Sequence, residues 1–381
     1  MRVVVVGGGI VGLASAYYLA DRGADVVVLE KSTFGAGSTE RSAGGIRLQF
    51  STRVNVELSK ASIEVWESFE ERFGVDVDWR RPGYLWLARD PETADAFRAD
   101  VAMQNDLDVP TELLDPVEAT EHCPELDPEP FVAATYAPTD GFADPHLAVE
   151  GFRRQATAAG ADLRAHTPVT EVRRAGEAVV GVVADGEHVD ADVVVNAAGP
   201  WGREVAAMAG IDLPVFPRRR QVAVVDPDPP VPESVPLTVD LDRGSYFRPE
   251  RDGAALVGGH FAGTDPDRDP DDYRTDVDLA WTATAVERAA EYAGYFGPAT
   301  RIRRGWAGLY AVTPDDHPIV EETVPGFVNA VGFSGHGFMH SPATGQVVAE
   351  LALDGAASLV DVSRLSGDRF DRGVDAERNV V

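Results

Sequence analysis

Three glycines, Gly7, Gly9 and Gly12, stand in the spacing G-x-G-x-x-G within the first dozen residues. That spacing suits a pyrophosphate. The first glycine makes a tight turn, the second lets the backbone approach the phosphates, and the third lets a helix pack on a strand. Ile10 and Val11 sit inside this fingerprint. Glu30 follows, with Lys31 beside it, about 20 residues on, where an acid holds a ribose hydroxyl and would repel a 2′-phosphate. A second glycine-rich turn, Gly335-His336-Gly337-Phe338-Met339, opens an apolar helix that runs to about Leu353. Both turns offer the free N–H groups and partial positive charge of a helix N-terminus to an electron-rich ligand. Two such turns at opposite ends of one chain favour a large, two-ended cofactor.

The elements that must position these turns are legible around them. Arg2 to Val6 and Asp25 to Leu29 are β-branched runs of the kind buried on both faces of a parallel sheet. Between them the spacing of Val11, Ala14, Tyr18 and Leu19 predicts a helix over 9–22, ended by Gly23. Residues 35–50 are rich in Gly, Ser and Ala, which lets backbone crowd a flat or anionic ligand, and they carry Arg47 between Ile46 and Leu48. A helix is predicted over 54–73, a strand over 83–87, polar helix over 90–130, a turn at 141–146 and a helix over 147–159. Strands follow at 169–172, 179–183 and 192–196, the last running into Ala197-Ala198-Gly199-Pro200-Trp201. Small residues at the C-terminal end of such a strand are where open α/β sheets bind ligands. A proline-rich linker spans 226–236, strands alternate over 237–263, and a helix covers 277–295. The acidic stretch 264–276 lacks the glycine and terminal glutamate of a calcium loop, so it reads as a solvated loop and no metal site is expected.

With 381 residues, a formal net charge of −29 and only two lysines, Lys31 and Lys60, the chain is a poor partner for nucleic acid or anionic membrane surfaces. Its acids are scattered, a pattern expected of a cytoplasmic protein in a high-salt cell, where self-repulsion is screened. Cys123 is the single cysteine, so an internal disulfide is excluded. No signal peptide and no run of membrane-spanning length is expected.

Together the fingerprint, GSTERSAGGIR, VVVNAAGPW, WAGLYAVTPDDHPIV and GFSGHGFM resemble the FAD-dependent D-amino acid oxidase superfamily. The likeness is greatest to sarcosine oxidase β subunits and archaeal proline dehydrogenase β subunits, and it covers nearly the whole chain. The resemblance implies an α/β fold. A doubly wound, Rossmann-like FAD-binding domain would be built from residues 1–82, 145–215 and 300–381. A substrate domain with a mostly antiparallel sheet would come from 83–144 and 216–299. It places the ADP half of FAD on the first turn and Glu30, and the backbone of Val169 against the adenine. Ser38, Thr39, Ser42, Ala43 and Gly44 would line the pyrophosphate and flavin, with Ala198, Gly199, Trp201 and Gly308 as further cofactor positions. Gly335, His336, Gly337, Phe338 and Met339 would face the N1–C2=O edge of the flavin.

Arg47 matches the family arginine that holds a substrate carboxylate, while Tyr246, His260 and Tyr310 match residues around the amine and carboxylate. There are departures. Gly308 replaces the cysteine that joins FAD in monomeric sarcosine oxidase, which implies non-covalent FAD. Leu256 replaces an oxygen-activating lysine, favouring a dehydrogenase over an oxidase, and Met339 replaces a second carboxylate-binding lysine. Tyr310 stands where glycine oxidase has an arginine, which argues against glycine as substrate. The expected activity is oxidation of a small amino acid or N-alkyl amino acid, sarcosine-like or proline-like, to an imine with hydride transfer to flavin N5. A 2-hydroxy acid dehydrogenase and a non-catalytic FAD-bound subunit of a larger complex remain alternatives, and the electron acceptor or a partner subunit stays open.

Overall fold

The β-branched runs form the centre of a six-stranded sheet. Its order is Ile319–Val324, Phe327–Val331, Val193–Asn196, Arg2–Val6, Asp25–Leu29, Asp162–Arg164. All neighbours are parallel except the first pair, which is antiparallel. The structure, a computed structural model, describes residues 1–261, 263–373 and 375–380. Val3, Val4, Val5, Val26, Val28, Val194 and Val195 are fully buried because the sheet is covered on both faces. One face carries the helix Ile10–Asp21, packed against the helices Gly337–Asp354 and Pro145–Ala158. The other carries the three-stranded sheet Val169–Ala175, Ala178–Ala184, Glu187–Asp190 and the helix Gly202–Met208.

The contact between helices Ile10–Asp21 and Gly337–Asp354 needs a glycine. A Cβ on Gly345 would lie 2.7 Å from the Ala14 carbonyl carbon. Close packing of these two helices brings the two glycine-rich turns, far apart in sequence, to one cavity.

A second, eight-stranded sheet has the order Arg301–Val312, Phe216–Asp226, Ala255–Gly259, Ser245–Pro249, Leu237–Asp240, Tyr84–Ala88, Ala133–Ala137, Glu112–Leu114. It is antiparallel except where Leu237–Asp240 meets Tyr84–Ala88. The fold is thus α/β with a Rossmann-like sheet and a second, mostly antiparallel one. The sequence division assigned Arg301–Val312 to the FAD-binding segments, but this strand pairs along its length with Phe216–Asp226 in the antiparallel sheet.

Local expectations were altered where tertiary contacts override pattern. The helix predicted over 54–73 breaks at Ser68 into Arg53–Glu67 and Phe69–Phe73, and the Ser68 hydroxyl bonds the Glu64 carbonyl. The stretch 90–130 is helical mainly over Pro91–Asp106. Residues 141–146 are not merely a turn, because Gly141–Phe142 pairs with Gly45–Ile46. Among the described residues no three His, Cys, Asp or Glu side chains are grouped to hold a metal ion. No helix of the described residues is long and apolar enough to cross a membrane.

Candidate active site

A cavity of about 690 Å³ runs between the two sheets, a size typical of small-molecule and cofactor sites. At one end lies the first turn. Gly7 has φ +107°, and a Cβ there would meet the Ala197 carbonyl oxygen at 2.5 Å. A Cβ on Gly12 would lie 2.0 Å from the Gly7 oxygen, so Gly12 serves helix packing and is outside the lining. Glu30 braces the turn: its carboxylate accepts from the backbone N–H groups of Gly8 and Ser32, each at 2.7 Å. Gly9, Ile10, Val11, Lys31 and Val169 line this end. Lys31 Nζ lies 3.7 Å from the Trp201 ring centre and pairs with Asp271, to which Trp201 Nε1 also donates.

The middle is walled by small residues: Ser38, Thr39, Ser42, Ala43, Ala198, Gly199 and Gly308. Thr39 Oγ1 accepts from the Ile10 N–H at 3.1 Å, and Ser38 Oγ donates to the Leu309 carbonyl at 2.6 Å. These bonds fix the loop 35–44 across the helix N-terminus. Gly44 (φ +73°) supports the loop from outside the lining, since a Cβ would strike the Ala143 oxygen at 2.0 Å.

At the far end Arg47, Tyr246, Tyr310, Gly335, His336, Gly337, Phe338 and Met339 share the lining. A Cβ on Gly335 would enter the Tyr310 ring at 2.2 Å, so only glycine allows that contact. Arg47 is 5% exposed, stacks at 3.8 Å over Phe50, and donates to the carbonyls of Gln49 and Asn379. Burial lowers its pKa, against opposing pulls from Glu377, Tyr84 and Asp140, yet a guanidinium keeps its charge. Glu377 is itself buried. Burial would raise its pKa, but hydrogen bonds from Ser51 and Asn55 and the charge of Arg47 hold it below the ordinary carboxylate value. Burial pushes the hydroxyls of Tyr84, Tyr246 and Tyr310 upward, so all three stay protonated phenols.

His260 is placed apart. It is half-buried, outside the cavity lining, with its backbone N–H on the Gly244 carbonyl at 3.0 Å. Burial, then Arg220, lower its pKa while Asp265 raises it. Leu256 is 1% exposed, packed in a cluster with Tyr246 and Trp86.

Sequence reasoning missed several lining residues. Tyr84 and Trp86 share one face of their strand, which the two-residue alternation of a strand could have revealed. Arg220 lines the cavity too, held by two bonds to Asp265 at 2.9 and 2.8 Å. The acidic stretch 264–276, read as a solvated loop, is a mostly exposed loop that is also tethered. Asp265 and Asp267 pair with Arg220 and Arg218, Asp271 pairs with Lys31, Tyr273 and Thr275 line the cavity, and Asp278, just beyond the stretch, pairs with Arg219. The C-terminal segment also reaches the site through Asn379 and Val380, and no sequence motif marks it.

The lining fits FAD: a helix N-terminus for the anionic half at the first turn, a middle of small residues wide enough for a flat ligand, a second helix N-terminus at Gly337, and glycine cradles at Gly7 and Gly335 that a Cβ would fill. Comparison with known proteins agrees. Residues 2–351 match the family model described as DAO, FAD dependent oxidoreductase. FAD-dependent oxidoreductase domain-containing protein 1 of Xenopus laevis is 32% identical, over 100% of this chain and 84% of that protein. Mitochondrial dimethylglycine dehydrogenase of Rattus norvegicus is 31% identical over 97% of this chain, which spans 45% of its length. Among solved structures, L-proline dehydrogenase from P. horikoshii superposes with a TM-score of 0.87 at 35% identity, covering 98% of each chain. Glycine oxidase from Geobacillus kaustophilus gives 0.83 at 27% identity, covering 97% of this chain and 99% of the other. The chain is a member of the DAO family of FAD-dependent oxidoreductases.

Proposed function

We propose that the protein oxidises a small amino acid or N-alkyl amino acid to its imine, with FAD bound non-covalently. The observation that carries this reading is the buried Arg47 facing the same chamber as Tyr84, Tyr246, Tyr310 and His336. A planar guanidinium in a dry site suits a carboxylate held by paired hydrogen bonds. The relatives named as dimethylglycine dehydrogenase and L-proline dehydrogenase support the substrate class. When bound, FAD supplies the acceptor for the hydride that leaves the carbon next to nitrogen.

The chain's own residues do the rest. Arg47 anchors the carboxylate and so fixes which carbon faces the cofactor. Tyr84, Trp86, Tyr246 and Tyr310 wall the chamber, exclude water and offer aromatic faces to an ammonium or its alkyl groups. Gly7, Gly9 and Glu30 with the loop 38–44 would hold the ADP half, and the turn 335–339 with the helix behind it would face the flavin. Gly308 offers no side chain for a covalent link. The test is a panel of amino acids, N-alkyl amino acids and 2-hydroxy acids with an artificial acceptor dye, the product trapped as its oxo acid or released aldehyde. Turnover confined to amines supports the reading. Turnover confined to hydroxy acids would replace it, and denaturation that leaves flavin on the precipitated chain would refute non-covalent binding.

A further inference from the structure

His336 is the N-cap of the helix Gly337–Asp354 and is 2% exposed, yet neither ring nitrogen has a hydrogen-bond partner among the described residues. Buried polar groups are almost always paired, so an unpaired one that lines a cavity calls for a ligand. The neighbours do not satisfy it. The Phe50 ring meets it edge-on at 5.4 Å and His340 lies at 5.3 Å. His340 Nε2 is already bonded to Ser59 Oγ at 2.8 Å. Arg47 stacks on the same Phe50, which puts carboxylate anchor and imidazole in one chamber.

A zwitterionic amino acid enters that chamber with its nitrogen protonated. The nitrogen lone pair must be free before hydride can leave the adjacent carbon, so a base has to take one proton. The other titratable groups of the lining are unsuited. Tyr84, Tyr246, Tyr273 and Tyr310 are phenols with raised pKa. Glu30, Glu204 and Asp271 belong to the Lys31 and Trp201 end. Asp140 and Glu377 are outside the lining and are engaged by Leu48 and Gln49, and by Ser51 and Asn55.

We propose, on the amino-acid reading above, that His336 is the base that deprotonates the substrate ammonium. The N–H bond of the ammonium breaks with its electron pair staying on the substrate nitrogen, and the proton bonds to a ring nitrogen of His336. The total charge of the chamber is unchanged. The groups that face the imidazole explain why it waits neutral. Burial, then His340, Arg47 and His317 push its pKa well below the ordinary value. The incoming carboxylate neutralises Arg47 and removes one of those opposing charges at the moment the ammonium arrives. The proton returns to water after the imine has left.

The experiment is anaerobic stopped-flow reduction of the bound flavin by an N-alkyl amino acid, from about pH 6.5 to 10, in wild type, His336→Asn and His336→Gln. Rates are normalised to FAD content. Both variants should lose about 10²-fold or more near pH 7, the usual contribution of a general base. They should recover about tenfold per pH unit as the free-base substrate becomes available. A loss by the same factor at every pH, or no loss near pH 7, would overturn the proposal.

A second readout needs no turnover. With ¹⁵N-histidine holoenzyme and 2-aminoisobutyrate, which has no hydrogen on the carbon beside nitrogen, one imidazolium signal should form on binding and be missing from His336→Asn. Binding seen in the flavin spectrum with no such signal would also overturn it. If wild type neither binds nor is reduced by any amino acid, the amino-acid reading falls, and this proposal with it. If wild type is reduced but the variant profiles run parallel to it, only the role of His336 falls.

Discussion

Arg47 shows how one residue can serve fold and chemistry together. Its guanidinium holds the carbonyls of Gln49 and Asn379 while its charge faces the chamber. Removing a partner from a buried, hydrogen-bonded charge pair costs roughly 2–5 kcal/mol. Arg47→Ala should therefore cut amino-acid turnover by hundreds-fold with FAD still bound. Arg47→Lys keeps the charge without the fork and should fall between. Kinetics with flavin content read alongside check this, and wild-type kinetics in Arg47→Ala would place the carboxylate elsewhere. Arg220 makes a different point about charge. Its bonds to Asp265 neutralise it beside the cavity, and Leu256 supplies no cation. Reduction of O₂ develops negative charge that a free cation would stabilise. With a carboxylate bound to Arg47, reduced enzyme should thus be reoxidised slowly by air and fast by a dye, and Asp265→Asn should raise the oxygen rate about tenfold, the equivalent of ~1.4 kcal/mol. Faster reaction with air than with dye in wild type would contradict this.

Elements decide which of these residues meet. The first βαβ unit was legible because its signals are local: glycine spacing, a β-branched run on each side, and Glu30 at the strand end. Arg47 and the turn 335–339 were legible as motifs, but their proximity comes from Phe50, on which Arg47 stacks and which meets the rings of His336 and His340, a contact that no local pattern encodes. His260 lies outside the cavity lining, and its neighbours Gly258 and Gly259 give no sign of which side the chain takes after the strand. The acidic stretch is the exposed loop expected, but its tethering was not legible, because Arg218 and Arg220 lie 40 or more residues earlier and look like an ordinary charge run. The helix Gly337–Asp354 also buries His340, whose pKa falls to about 3 through burial first, then Arg47 and His317. The unfolded chain takes up that proton near pH 6.5, so native stability drops as pH falls from about 6.5 toward 3, by ~1.4 kcal/mol per pH unit for one histidine. Urea unfolding at about pH 7 and 5 should show His340→Asn losing about 2 kcal/mol less than wild type over that interval. Equal losses would mean that His340 is not held neutral.

At the scale of the whole molecule, 63 acids against 34 bases leave a net charge of −29. Self-repulsion of that size destabilises the folded state, and salt screens it as the Debye length shrinks from about 10 Å at 0.1 M to about 3 Å at 1 M. Surface ion pairs weaken too, but isolated pairs are worth little. The melting temperature should rise steadily between about 0.1 and 2 M KCl, and a fall would show that ion pairs outweigh repulsion. The two sheets, one carrying the glycine-rich turns and the other the aromatic wall, flank the cavity in which, on the function proposed above, Arg47 would anchor a carboxylate and fix the amine against the cofactor. The most direct measurement of that claim is anaerobic bleaching of the bound flavin by an N-alkyl amino acid compared with the same amine lacking its carboxylate. The account predicts rapid bleaching by the amino acid and little or none by the amine; equal bleaching by both, or bleaching by a 2-hydroxy acid alone, would contradict it.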